Sequence, residues 1–130
     1  MKETPSLPIS PSQLQVSDKR VSIVVQAVCD KKASKVVVLD LREIASFTDY
    51  FVICNGRASR QVQAIADEVE TKLLAENTKT SHIEGYQAGE WILMDYGDFV
   101  VHIFNEEARD FYNLERLWRD ANRIEIHDEA

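Results

Sequence analysis

Trp91-Ile92-Leu93-Met94-Asp95-Tyr96-Gly97-Asp98-Phe99-Val100-Val101-His102-Ile103-Phe104 reads as two short strands joined by Gly97-Asp98. Two residues between apolar runs, with glycine first, is the pattern of a type II′ hairpin turn, because the first turn position takes a positive φ that glycine adopts without steric cost. A two-residue turn fixes the register. Tyr96 is then opposite Phe99, Asp95 opposite Val100, Leu93 opposite His102 and Trp91 opposite Phe104. Side chains alternate across a strand. One face therefore carries Ile92, Met94, Tyr96, Phe99, Val101 and Ile103, nearly all apolar and suited to a core. The other carries Trp91, Leu93, Asp95, Val100, His102 and Phe104. That mixed face has two readings. It is a protein-binding patch with Trp91 as a desolvated anchor and polar groups setting register, or it is covered by a helix with Asp95 and His102 satisfied inside. A slip of one residue would exchange the two faces.

The elements before the hairpin follow from hydrophobic spacing. Val21, Val24, Val25 and Val28 recur at helical intervals behind Ser17 or Asp18, either of which can cap a helix. Val36–Leu39 and Tyr50–Cys54 are continuous apolar runs of strand length, with a turn at Phe47-Thr48-Asp49 and a break at Asn55-Gly56. Ser59 is placed to cap a second helix with the stripe Val62, Ile65, Ala66, Val69 and Leu73, ending near Asn77. A short strand is expected at His82-Ile83. After the hairpin, Asn105 caps a last helix whose first turn holds Glu106 and Glu107, where the helix dipole favours them, and whose apolar residues include Ala108, Phe111, Leu114, Leu117 and Trp118. The order predicts an α/β (α+β mixed) single domain, a mixed β-sheet packed with helices. The expected boundaries are a disordered Pro- and Ser-rich tail over 1–17, the domain over 18–120, and an acidic tail over 121–130 that frays from Arg123.

The charge is uneven. Residues 1–83 hold 11 Lys/Arg against 10 Asp/Glu, while residues 84–130 hold 4 Arg, no Lys and 12 Asp/Glu, a net of -8. Such a half is poorly matched to phosphates, so no direct reading of nucleic acid is expected. It suits either a basic protein partner or a solvated acidic surface. No apolar run approaches the roughly 20 residues of a membrane span, and no secretory or transit signal is evident. Cys29 and Cys54 lack metal-ligand spacing and read as buried free thiols of a reducing compartment.

Catalytic patterns are sparse. Gly56-Arg57-Ala58-Ser59 follows a strand and opens a helix, where backbone N–H groups can hold a phosphate, but it matches neither the dinucleotide fingerprint nor the Walker pattern. Asp40, Asp49 and Asp95 lie near strand ends, yet no Asp-x-Asp pair is present to hold two metal ions. His82, His102 and His127 have no metal-motif spacing, and no nucleophile accompanies Asp95 and His102. No catalytic residue, metal or cofactor is expected. The competing readings are a nucleotide-handling transferase or hydrolase and a general homodimeric adaptor.

Three stretches resemble the Iojap/RsfS family of ribosomal silencing factors. They are Thr48-Asp49-Tyr50-Phe51-Val52-Ile53-Cys54 with Gly56 and Ser59-Arg60-Gln61; Glu84-Gly85 with Trp91 through Asp98; and Val100 through Phe104 with Arg109, Phe111-Tyr112, Leu114-Glu115 and Leu117-Trp118. Order and spacing agree from about Val21 to Trp118. Arg57 and Ala58 stand where the family usually has Thr and Ser or similar residues. The resemblance implies a fold similar to nucleotidyltransferases without their catalytic residues. It implies binding to a basic protein of the large ribosomal subunit on the intersubunit face, a steric block to subunit joining, repression of translation in starvation, and a possible homodimer. It also points to a bacterial cytoplasmic member. Carried onto this chain, the docking face draws on Trp91, Leu93, Asp95 and His102, with Tyr96 and Asp49 beside them. Trp91 and Leu93 would bury apolar area, Asp95 would pair with a Lys or Arg of the partner, and His102 would add a hydrogen bond.

Overall fold

The computed structural model describes residues 7–127. Six strands form one mixed sheet in the order β3-β4-β5-β2-β1-β6. The strands are β1 (Ser34–Asp40), β2 (Tyr50–Gly56), β3 (His82–Glu84), β4 (Trp91–Asp95), β5 (Phe99–Asn105) and β6 (Asn122–Glu125). The pair β2 and β5 at the centre runs parallel, and the other neighbours run antiparallel. This explains why Tyr50–Gly56 is buried along its whole length: a central strand with both faces covered reads as an unbroken apolar run.

Helices α1 (Lys19–Asp30) and α2 (Ser59–Leu74) lie together on one face of the sheet. Asp18 caps α1 by accepting from the Arg20 N–H. The valines of α1 and the stripe Val62, Ile65, Ala66, Val69 and Leu73 of α2 bury against Val38, Val52, Ile92, Met94, Val101 and Ile103. The helical spacing therefore identified the packed faces correctly. The cap of α2 differs from expectation. Ala58 is the N-cap residue, without a side-chain bond, and Ser59 is already helical. The Gln61 Oε1 instead accepts from the Arg57 N–H at 2.7 Å. That N–H is thereby unavailable to an anion, and a Cβ at Gly56 would lie 2.9 Å from the Val62 side chain. The turn is a tight strand-to-helix junction. Asn77 lies beyond the end of α2 in the left-handed region, with φ 59°.

The hairpin forms in the expected register, Trp91 with Phe104, Leu93 with His102 and Asp95 with Val100. Gly97 has φ 84°, as the turn requires. The last helix departs from expectation. It splits into α3 (Glu106–Tyr112) and α4 (Leu114–Leu117), because Asn113 adopts φ 47° and ψ 57°, which ends a helix.

The boundaries also need correction. The segment expected to fray pairs with β1 as edge strand β6, Ile124 opposite Val38. Ahead of α1, Ile9 bridges Ile126, residues Pro11–Gln13 form a 3-10 turn, and Leu14 is buried. Residues 7–17 thus close over the end of the sheet, and the expected tail beyond them, residues 1–6, lies outside the described residues, as do residues 128–130.

Candidate functional site

The sheet face opposite α1 and α2 is covered unevenly. The loop before β2 and helices α3 and α4 pack against Val37, Leu39, Phe51, Ile53, Val100 and Phe104. On β5, His102 is 3% exposed and Phe104 is fully buried. On the neighbouring β4, Trp91, Leu93 and Asp95 are only half-buried. The two strands of the hairpin therefore differ on this face: β5 is covered and β4 is partly open.

An aromatic row crosses the face. Phe111 meets Tyr112 (5.0 Å between ring centres), and Tyr112 meets Trp91 (4.6 Å). Trp91 meets His102 (5.9 Å), His102 meets Phe51 (4.5 Å), Phe51 meets Trp118 (5.9 Å), and Trp118 meets Phe47 (5.8 Å). The middle of the row is buried and its ends are open: Phe111 is 80% exposed, Tyr112 48% and Phe47 60%. Adjoining aromatic side chains left exposed form a surface suited to a partner.

Of the residues expected from the sequence, Trp91, Leu93 and Asp95 lie along β4 as placed. Asp95 has a local task as well, since its Oδ1 accepts from the Gly97 N–H at 2.8 Å and so closes the turn. Asp49 is exposed at the turn end of the hairpin, where its N–H donates to the Asp98 carbonyl at 2.9 Å and the Thr48 hydroxyl donates to the Gly97 carbonyl at 2.9 Å. Tyr96 falls on the α1–α2 side, stacked on Phe99 at 5.1 Å, and burial pushes its phenol up to about 12. The structure therefore does not bring Tyr96 to this face.

His102 lies beneath Trp91. The Trp91 Nε1–H donates to His102 Nδ1 at 3.1 Å. A neutral imidazole that accepts at Nδ1 carries its proton on Nε2, and here Nε2 is buried without a partner. Burial pushes the His102 pKa down to about 3. One hydrogen bond gains about 1 kcal/mol net, whereas an unpaired buried donor costs about 1–3 kcal/mol. The arrangement is not a net source of stability.

The sequence reading named Arg109 and Glu115 only as part of a motif. Arg109 is buried, and its guanidinium donates to both carboxylate oxygens of Glu115 (3.0 and 2.7 Å), to Asn55 Oδ1 (2.7 Å) and to the Lys35 carbonyl (2.9 Å). Arg123 of β6 also reaches Glu115, at 3.0 Å. The cluster ties α3, α4 and β6 to the ends of β1 and β2, and so fixes the elements that carry Tyr112 and Trp118. The exposure of Phe111 and Leu117 departs from their place in the apolar stripe of one continuous helix, Phe47 is exposed at the expected turn, and Tyr112 entered only through the family motif. The left-handed tendency of asparagine was the available signal at Asn113.

Carboxylates lie at the Trp91 end of this face. Glu90, Glu106 and Glu107 are exposed, and the Asn105 N–H bonds the Glu90 carbonyl at 2.8 Å, which places Glu90 beside the start of α3. The carboxylates considered for a metal do not assemble. Asp40 on β1 and Asp95 on β4 are separated by β2 and β5, and Asp40 is paired with Arg42 at 2.8 Å. Cys29 and Cys54 are both buried, and no disulfide joins them.

The sequence of residues 14–130 matches the family model described as ribosomal silencing factor during starvation. The chain belongs to the ribosomal silencing factor family. Its match extends past Trp118, where the resemblance read from motifs ended, and takes in β6. A silencing factor RsfS of Halalkalibacterium halodurans is 43% identical over 104 residues, covering 80% of this chain and 89% of the relative. The RsfS of Bacillus subtilis is 39% identical over 107 residues, covering 82% and 91%. A crystal structure of a Chromobacterium violaceum protein superimposes with a TM-score of 0.77 at 31% identity, covering 82% of this chain and 88% of that one. Silencing factors are named for a regulatory role at the ribosome.

Proposed function

We propose that this protein docks through the partly open face of β4 and the adjoining aromatic row on a basic protein of the large ribosomal subunit, at the surface that meets the small subunit. Occupation of that surface blocks subunit joining sterically and lowers translation. The reading makes the protein a non-catalytic repressor without a cofactor, acting in the cytoplasm of a bacterium. The observation that carries it is the half-buried Trp91 and Leu93 on one face of β4, continuous with exposed Tyr112 and Phe111 and with the carboxylates Glu90, Glu106 and Glu107 at the Trp91 end. Aromatic side chains supply the desolvated anchors of a protein interface, and the acidic border complements a basic partner.

The test is sedimentation of the purified protein with separated ribosomal subunits in a sucrose gradient at physiological salt. Co-migration with the large subunit and depletion of the joined particle are expected. Trp91→Ala combined with Asp95→Ala is expected to weaken binding about 30-fold or more, as loss of a hot-spot anchor does, with unchanged circular dichroism. Undiminished binding by that folded variant would place the docking face elsewhere, and absence of binding by the unaltered protein would end the ribosomal reading.

A further inference from the structure

His102 is expected from the sequence to meet the partner directly, but it is buried in the sheet, and its Nδ1 accepts from the half-buried indole of Trp91. Around the indole, Phe104 stacks at 5.0 Å and Tyr112 packs at 4.6 Å. Those two rings confine the plane of Trp91 without choosing among rotations that keep it in contact. The hydrogen bond from Nε1–H to His102 Nδ1 makes that choice. We infer that His102 is a positioning residue, which holds the Trp91 indole in one orientation on the free protein so that the anchor is already ordered when the partner arrives. The inference rests on the docking reading above.

Two features support it. The bond leaves His102 Nε2 buried and unpartnered, so the pair is poorly explained as a stabilising contact. The imidazole also packs among rings, Phe51 at 4.5 Å and Phe104 at 6.3 Å, together with Trp91. In that surrounding a neutral acceptor keeps one tautomer, and the indole N–H always has the same partner. An anchor ordered beforehand avoids the entropy lost when a mobile side chain is immobilised on binding. For one side chain this amounts to about two- to tenfold in affinity.

The experiment compares His102→Phe, which keeps an aromatic ring and removes the acceptor, with His102→Asn, whose Oδ1 lies as many bonds from the backbone as Nδ1 does. Three readouts are taken: the ¹⁵N-indole N–H resonance of Trp91, with Trp118 as internal control; thermal stability; and affinity for purified large subunits. In His102→Phe the Trp91 resonance is expected to shift and exchange faster with solvent while Trp118 is unchanged. Affinity falls about two- to tenfold and stability is retained. His102→Asn restores the resonance and most of the affinity. In a Trp91→Phe background, His102→Phe has no further effect on binding, because its effect passes through the indole. An unchanged Trp91 resonance in His102→Phe overturns the positioning role whatever the ribosome does, as does undiminished affinity in a variant whose indole has been released. If His102→Phe does not fold, the double substitution Trp91→Phe with His102→Asn against Trp91→Phe alone decides the same point: any further loss of affinity overturns it. Failure of the unaltered protein to bind large subunits, with the indole responding as expected, would instead overturn the docking reading on which the affinity consequence depends.

Discussion

His102 is neutral in the fold because the charged form has lost its hydration, with a pKa of about 3. In the unfolded chain the same group protonates near about 6.5. Between those values the unfolded state binds more protons than the folded one, so stability falls as pH drops through the window, with a slope approaching about 1.4 kcal/mol per pH unit. Urea denaturation at pH 7 and pH 5 is expected to show this loss in the unaltered protein and a smaller one in His102→Phe. Equal losses would mean that folded His102 is open to protons. Glu115 gives a contribution from the acid side. Burial raises its pKa, but the guanidinium groups of Arg109 and Arg123 more than offset this and hold it below the usual glutamate range. A depressed carboxyl stabilises the fold above its unfolded pKa of about 4.3, and the contribution disappears as pH falls through the lower, folded value. Glu115→Gln is therefore expected to flatten the stability profile below about pH 4.3. Arg109→Leu is more severe, because it leaves the Asn55 and Lys35 oxygens without their donor and breaks a buried pair. A loss of about 3–5 kcal/mol is expected in urea denaturation, and a loss under 1 kcal/mol would remove the cluster as the tie that holds α3 and β6.

The hairpin was legible because its information is local: alternation gives the faces, and Gly97 gives the turn. The same holds for α1 and α2, whose buried residues follow helical spacing. What escaped the sequence depends on pairing between distant segments. Asn122–Glu125 has no apolar alternation strong enough to announce a strand, and it becomes one because β1 offers it an open edge. The break at Asn113 depends on a single backbone conformation that helical periodicity cannot report. The partial exposure of the β4 residues was legible because it follows from alternation, whereas that of α3 and α4 was not, because it depends on the break at Asn113. Two glycines at the ends of the hairpin unit separate conformational cost from steric cost. Gly97 has φ 84° and nothing within 4 Å of a Cβ built on it, so Gly97→Ala costs only the strained backbone, about 1–2 kcal/mol. Gly85 has φ 82°, and its Cβ would lie 2.0 Å from the Trp91 carbonyl oxygen. Gly85→Ala must displace the first residue of β4, so it is expected to destabilise more than Gly97→Ala and also to weaken docking. Thermal denaturation and large-subunit binding of the two variants check this, and equal effects on both would show that the backbone at Trp91 is not confined by the loop before it.

Both long helices pack on one side of the sheet, which leaves the other side to short elements that cover it incompletely. The same chain places its negative charge mainly after residue 83, in the segment that builds this incompletely covered side. Apolar anchors and acidic border thus belong to one stretch of chain, but they act at different stages of an encounter. Charges separated from a partner by water are felt over a screening length of about 8 Å at physiological salt, so they speed association. Anchors act only after water has been expelled, so they slow dissociation. Glu106 and Glu107 suit a test of this division, since both are exposed in the first turn of α3 near the Trp91 end of the hairpin. Glu106→Gln with Glu107→Gln removes two negative charges while keeping side-chain shape. The expected result in stopped-flow binding to large subunits is association slowed several-fold at low salt, with a shallower salt dependence and an unchanged dissociation rate. Trp91→Ala should show the converse, with faster dissociation and association little altered. If neutralising the glutamates left the association rate and its salt dependence unchanged, the acidic half would be a solubilising surface, and the apolar row alone would have to account for partner choice.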